Sequence, residues 1–338
     1  MNVLVSGGAG FIGSHLVRHH LALGDRVTAV DNLSTGSAAN VAPFLASDRF
    51  RFDEADIVAW PGLDDAVARA DRIYHMAAVV GMFHVLDHSV DVTRVNVQGC
   101  ERLLEAAVRS GRRPQIVLAS SSSVYGGVDP EDMHEDAVIR MAPGSPLLNY
   151  ALSKFANEVQ GAAYAHEHGL PVVAVRLFNT IGPGQAGLYG FVVPRFVQQA
   201  IAGAPITVFG DGSQTRSFCD VRDTVAMLDA LARRAPPGGT VVNLGNASEV
   251  SILELAELVR SRARSASPIE FVPYAKAYGR AFDVIPQRRP ALARLHGLID
   301  VRPRWTLKAT VDDLIGHYGR TNAAAARRAP ACAAAGVA

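Results

Sequence analysis

The 338 residues carry 33 basic and 32 acidic side chains, a formal net charge of +1, and 49% of them are hydrophobic. That composition supplies a sizeable core and excludes a disordered chain. The near-neutral balance excludes the electrostatic footprint of a nucleic-acid or membrane-surface binder.

The first residues, MNVLVSGGAGFIG, hold a short apolar run with no basic leader, so they read as a first strand and not as a signal peptide. No stretch approaches the ~18 uncharged apolar residues of a membrane span. Cys100, Cys219 and Cys332 are far apart and odd in number, neither a disulfide framework nor zinc-ligand spacing. A soluble cytoplasmic protein is expected. FIGSHLVRHHLALG follows as a helix with Phe11, Ile12, His15, Leu16 and His19 on one face, closed by Gly24. DRVTAVD is the second strand. RFRFDEADI, DRIYHMAA, PQIVLAS and PVVAVRLFN continue the series, separated by helical patterns such as VNVQGCERLLEAAVRSG and YALSKFANEVQGAAYAHEHG. Such alternation implies βαβ units in an α/β, Rossmann-type doubly wound parallel sheet with helices on both faces.

After about residue 180 glycine and proline become frequent, and the alternation loosens. The expected organisation is a dinucleotide-binding domain over residues 1–178, to which segments around 215–246 return. A smaller substrate-binding lobe over 179–318 covers the carboxyl edge of the sheet, where open α/β folds bind ligands. The low-complexity end, residues 319–338, is expected to be a disordered tail.

GGAGFIG sets Gly7, Gly10 and Gly13 between a strand and a helix. The first glycine permits the tight turn, the second lets the backbone approach a pyrophosphate, and the third lets the helix pack closely. The helix N-terminus then offers free N–H groups to the phosphates. Asp31 ends the second strand, 24 residues after Gly7. An acid there accepts the ribose hydroxyls of NAD and repels the 2′-phosphate of NADP. His15, His19, His20 and His75 read as satisfied or solvated side chains. No Asp/His/Glu cluster has ligand spacing, so no metal is expected.

NYALSK places Tyr150 and Lys154 four residues apart, on one helix face. A phenol with a pKa near ~10 is a poor base at neutral pH. A nearby ammonium favours the phenolate, which makes the pair a tuned base for a hydroxyl that loses its hydride to nicotinamide. Upstream, LASSSSVYGG over residues 118–127 puts four serines directly after a buried strand. They form either a polar turn or a turn in which one hydroxyl does chemistry.

GGAGFIG, DNLSTG, HMAA, SSSSVYG, YALSK, RLFNTIGPG and GDGSQTRSFCDVRD occur in one order along residues 1–318. In that order they resemble the extended short-chain dehydrogenase/reductases of the nucleotide-sugar epimerase/dehydratase family. The resemblance implies that Ser121 shares the C4 oxygen of the sugar with Tyr150. Lys154 binds the nicotinamide ribose and lowers the tyrosine pKa. Phe11, Ile12, Asn32, Asp56, Ile57, Ala77, Ala78, Asn96 and Phe178 join the glycines and Asp31 around NAD. Asn179, Arg216 and Arg288 hold the pyrophosphate or ribose of a nucleotide sugar, and Phe209 flanks its base. A guanidinium suits phosphate because it grips two oxygens at once.

Members of this family share a first step in which the C4 hydroxyl is oxidised to a ketone. Epimerases return the hydride to the other face, dehydratases remove a C5 proton, and decarboxylases release CO₂ from a 4-keto uronate. Dehydratases carry a triplet resembling Thr-Asp-Glu before the VYG-like sequence, and decarboxylases one resembling Thr-Ser-Glu. This chain has Ser121, Ser122 and Ser123, and a serine cannot replace that glutamate as a base. The string is similar to that of 4-epimerases, with Ser121 acting and Ser122 and Ser123 positioning the substrate or capping the following turn. RLFNTIGPG and PQRRP are more similar to the UDP-glucuronate decarboxylases, which usually carry arginine where this chain has Gly184. The resemblance therefore implies C4 epimerisation of a UDP-hexose or UDP-hexuronate. Decarboxylation of UDP-glucuronate to UDP-xylose or its 4-keto form is the alternative, and a non-catalytic dinucleotide-binding sensor is a remote one. Helices around 95–109 and 150–168 carry apolar residues beyond what one sheet face needs, as in the family's homodimers.

Overall fold

The computed structural model describes residues 1–126, 133–141, 148–185, 191–234, 238–278 and 285–328. In chain order the first strands are β1 (Asn2–Ser6), β2 (Arg26–Asp31), β3 (Phe50–Glu54), β4 (Arg72–His75), β5 (Gln115–Ser121) and β6 (Val172–Leu177). Four short strands follow, β7 (Thr180–Ile181), β8 (Ile206–Phe209), β9 (Thr215–Ser217) and β10 (Cys219–Asp220). The last four are β11 (Thr240–Leu244), β12 (Glu249–Ser251), β13 (Ile269–Val272) and β14 (Gln287–Arg288).

Seven of these strands pair in the order β11-β6-β5-β4-β1-β2-β3, all in parallel. The sequence reason is visible in NVLV, IVLA and VVAV. Parallel strands are covered on both faces and so read as nearly continuous apolar runs. Val3 and Val5 point into one core with Leu16, Val27 and Leu228, while Leu4 points into the opposite core with Ile73, Leu103 and Leu118. The order reverses between β1 and β4. A crevice opens at the carboxyl ends of strands at such a switch point, which is where doubly wound sheets bind ligands.

The first helix runs from Phe11 to Ala22 but turns a different face inward than its apolar residues suggest. Gly13, Ser14, Leu16, Val17 and His20 are buried. Of the expected face only Leu16 is, and Phe11, Ile12, His15 and His19 are half-buried. The glycine loop dictates this rotation. A Cβ on Gly13 would lie 2.0 Å from the Gly7 carbonyl oxygen, so Gly13 has to face the loop.

Beyond β6 the chain builds a second core. Helices Val192–Ile201, Ile252–Arg262 and Leu307–Arg328 gather Val193, Phe196, Val208, Leu255 and Leu314 around the parallel pair β8–β13. Ser251 and Glu254 close a capping box on the helix Ile252–Arg262, a device that stabilises by roughly 1 kcal/mol. Helix Val221–Arg234 packs against the first helix, and β11 joins the main sheet. β9, expected to return with them, instead sits between β12 and β14 in a separate three-stranded sheet. The chain's last helix continues to Arg328, so residues 319–328 are helical where a loose tail was expected. The run NAAAARR explains it, since alanine and arginine are strong helix formers. Residues 329–338, with Cys332, lie outside the described residues.

Candidate active site

Gly7 directly follows β1 with φ +69°, and its amide donates to the Val30 carbonyl at 2.8 Å. A Cβ there would meet the Ala77 amide nitrogen at 2.7 Å, so the position admits glycine only. Gly10 is the N-cap of the first helix, and no side chain caps it. The first-turn amides and the helix dipole are thereby left for an anion. Asp31, at the end of β2, accepts from the Ala9 amide at 3.0 Å and the Leu33 amide at 2.8 Å. Burial pushes its carboxyl up, and these amides pull it back. The loop, the uncapped helix and a carboxylate at the ribose position together fit NAD.

These residues line one cavity of about 990 Å³ at the carboxyl edge of the sheet. Gly7, Gly10, Phe11, Ile12, Gly13, Asp31, Asn32, Asp56, Ile57, Ala77, Ala78 and Phe178 border its first half. Ser121, Ser122, Ser123, Tyr150, Lys154, Asn179, Phe209, Arg216 and Arg288 border the remainder. Asn96, expected to line the cofactor, is the exception: it is fully buried behind the wall. Its Oδ1 accepts from the Val79 amide at 2.8 Å, and its Nδ2 donates to Ser153 Oγ at 2.9 Å. Ser153 Oγ in turn donates to the Tyr150 carbonyl at 2.8 Å. A π-helical turn over Arg94–Gln98 carries Asn96, a rare backbone form concentrated at functional sites.

Lys154 is buried, and its Nζ donates to the Ala119 carbonyl at 2.8 Å. Burial pushes this ammonium down to about 8. Burial also pushes the Tyr150 phenol up, while the Ser121 hydroxyl and the Arg288 guanidinium pull it down. The Arg288 guanidinium, which the sequence did not place beside Tyr150, thus joins the Ser121 hydroxyl in favouring the phenolate. Behind Lys154 lies His75, whose Nδ1 is 2.7 Å from Ser6 Oγ and whose Nε2 has no partner among the described residues. Burial and the Lys154 charge push His75 down to about 3, so its ring is neutral.

The four serines divide their work. Ser120 Oγ donates to Glu158, which is buried and gripped by two nitrogens of Arg176 at 2.9 and 2.8 Å. Ser121 Oγ accepts from the Ser123 amide at 3.1 Å and so caps the 3-10 turn Ser122–Tyr125. Capping therefore falls to Ser121, which was expected to act on substrate, and not to Ser122 or Ser123.

Arg216 and Arg288 are distant in sequence, yet β9 and β14 pair in parallel with these two residues in register. Adjacent register puts two guanidinium groups on one side of a sheet. Arg288 is desolvated and feels the Arg216 charge, and both push it down to about 10. Arg195 lies over the Phe209 ring, 3.7 Å from its centroid. Glu158, Arg176 and Asn243 escaped the sequence reading. Only the four-residue step from Lys154 to Glu158 hinted at one of them. Among the described residues no group of three or more candidate ligands could hold a metal, and no helix is long and apolar enough to cross a membrane.

A dinucleotide cradle at a sheet switch point, joined to a Tyr/Ser/Lys group, defines a nucleotide-dependent oxidoreductase-type site. Residues 3–245 match the family model of the NAD dependent epimerase/dehydratase family. The chain belongs to that family of enzymes, and its cofactor is NAD. A UDP-N-acetyl-alpha-D-glucosaminuronate decarboxylase of Bacillus cytotoxicus is 33% identical over 89% of this chain and 92% of its own length. A UDP-glucose 4-epimerase of Thermus thermophilus, solved in complex with NAD, is 30% identical with a TM-score of 0.79, covering 94% of this chain and 99% of its own. A UDP-glucuronic acid 4-epimerase of Bacillus cereus, solved with UDP-glucuronic acid and NAD, is 25% identical with a TM-score of 0.84, covering 95% of this chain and 100% of its own.

Proposed function

We propose that this chain is an NAD-dependent UDP-sugar 4-epimerase, acting on a UDP-hexose or UDP-hexuronate through a transient 4-keto sugar. One observation carries the reading. Among the described residues, the only carboxylates on the cavity wall are Asp31, Asp56 and Asp91. Asp31 is bound to the glycine loop, and Asp56 and Asp91 share Arg94. All three are engaged in this way, so among the described residues no uncommitted carboxylate lines the cavity to serve as the C5 base that dehydration requires. Epimerisation requires none.

In this reading Tyr150 takes the proton of the C4 hydroxyl, and the Ser121 hydroxyl holds the C4 oxygen. NAD⁺, which the glycine loop and Asp31 would hold, would supply the hydride acceptor for C4. Arg288 favours the phenolate across the cycle, and Lys154 orients the nicotinamide ribose. The adjacent Arg216 and Arg288 suit a diphosphate, which accepts paired guanidinium donors, and Phe209 flanks the base. The elements beyond β6 form the lobe that receives the nucleotide sugar. The protein is a homodimer of the cytoplasm, where the buried thiols of Cys100 and Cys219 stay reduced.

The kinship at 33% identity with a uronate decarboxylase favours a second reading, loss of CO₂ from a 4-keto uronate. Incubation with UDP-glucuronate and no added cofactor, followed by proton NMR of the anomeric signals, separates the two. UDP-galacturonate establishes the epimerase, and a UDP-pentose or its 4-keto form establishes the decarboxylase. Unchanged signals with both UDP-glucuronate and UDP-glucose would sink both readings.

A further inference from the structure

We propose that Asn243 is a positioning residue that locks the two walls of the sugar end of the cavity to each other. It lies in β11 with its side chain fully buried, and neither it nor Tyr125 lines the cavity. Its Oδ1 accepts from the Tyr125 hydroxyl at 2.8 Å. Its Nδ2 donates to the carbonyls of Met133 at 3.0 Å and Ala291 at 3.2 Å. Its backbone amide donates to Glu135 Oε1 at 2.8 Å. The amide group is thus used on both ends.

The partners explain why this matters. Tyr125 closes the 3-10 turn that Ser121 opens, so fixing its hydroxyl fixes the turn carrying Ser122 and Ser123. The Arg176 guanidinium covers the Tyr125 ring at 4.8 Å while holding Glu158, the acceptor of Ser120. Ala291 lies three residues beyond Arg288, and its own amide donates to the Met133 carbonyl at 3.1 Å. One asparagine therefore joins the serine wall to the segment that carries the arginine facing Tyr150. Asparagine is the short side chain with one acceptor and two donors that can meet a phenol and two carbonyls together.

The inference rests on reading Ser121 and Arg288 as substrate-facing, and two variants separate its arms. Tyr125→Phe removes only the arm to the serine turn. Asn243→Asp keeps an acceptor for Tyr125 but loses both donors, which releases the arm to Ala291 and Arg288. For each NAD-loaded variant the readouts are kcat and KM for the nucleotide sugar that the wild type converts, the Kd of UDP by calorimetry, and Tm. Tyr125→Phe is expected to lower kcat about fivefold with the UDP Kd unchanged. Asn243→Asp is expected to weaken UDP binding and raise KM about tenfold, with a smaller loss of kcat. If both variants only lose Tm while kcat, KM and Kd stay within about twofold of wild type, Asn243 is an ordinary structural residue and the proposal falls. If Asn243→Asp does not fold, Tyr125→Phe decides alone: unchanged kcat overturns the proposal. A wild type that binds UDP but converts no nucleotide sugar would sink the functional reading. The UDP Kd of Asn243→Asp would still test the arm to Arg288.

Discussion

In the proposed cycle Tyr150 carries the heaviest load of any single side chain. Burial alone would hold its phenol protonated, and the Ser121 hydroxyl and Arg288 oppose that. Tyr150→Phe removes the base and leaves the glycine loop and Asp31 untouched. Turnover is expected to fall about 10²–10⁴-fold while NAD still co-purifies, read by the absorbance of the denatured protein's released cofactor. Turnover close to wild type would remove Tyr150 from the chemistry. His75 makes the second residue-scale case. Its folded pKa, about 3, is below the unfolded value of 6.5, so between these values only the unfolded chain takes up a proton. Stability is therefore fully present above pH ~6.5 and is lost as pH falls towards ~3. Going from pH 6.5 to 4.5, this group alone removes about 2–3 kcal/mol. His75→Gln should flatten that part of the pH profile in urea titrations, and an unchanged slope would show that His75 is not its source.

At the scale of elements, the sequence marked where helices and strands lie more clearly than which way they face. NVLV, IVLA and VVAV read as strands because parallel strands are apolar throughout, and they are strands. The first helix shows the limit. Its apolar pattern suggested Phe11, Ile12, His15, Leu16 and His19 as the inner face, but close contact between Gly13 and the glycine loop turned Phe11 and Ile12 towards the cavity. Contacts between distant segments leave no local signal. The register that sets Arg216 beside Arg288, the Glu158–Arg176 pair and the hub at Asn243 all depend on strand order. Local motifs therefore revealed the glycine loop and the tyrosine helix, while these interactions stayed hidden. Asn157 on helix Leu148–His168 gives a test of packing in that element. It is buried, and neither atom of its amide has a partner among the described residues. Asn157→Ala removes the desolvated amide and adds a better helix former, so a gain of about 1 kcal/mol is expected in urea unfolding. A loss would mean that an ordered water satisfies the amide.

For the whole molecule, the same helix offers a surface that a single chain does not need. Leu152 and Val159 are 46% and 54% exposed. With Ala156 and Ala163 they fall at steps of four, three and four residues, one stripe along the helix. Their opposite side holds Ser153, Lys154, Asn157 and Glu158, which are buried against the sheet and the serine wall. An apolar stripe facing solvent on a helix whose other face carries the proposed catalytic group is what a two-fold pairing would cover, with each copy stiffening the other's site. Wild-type protein is expected to elute at twice its 35.9 kDa chain mass, and Val159→Asp at one chain mass with a lower kcat. The aspartate would set like charges face to face across the axis, a cost that far exceeds any rearrangement of the monomer. A wild type that elutes as a single chain would refute the pairing. A Val159→Asp variant that remains dimeric would move it to another face.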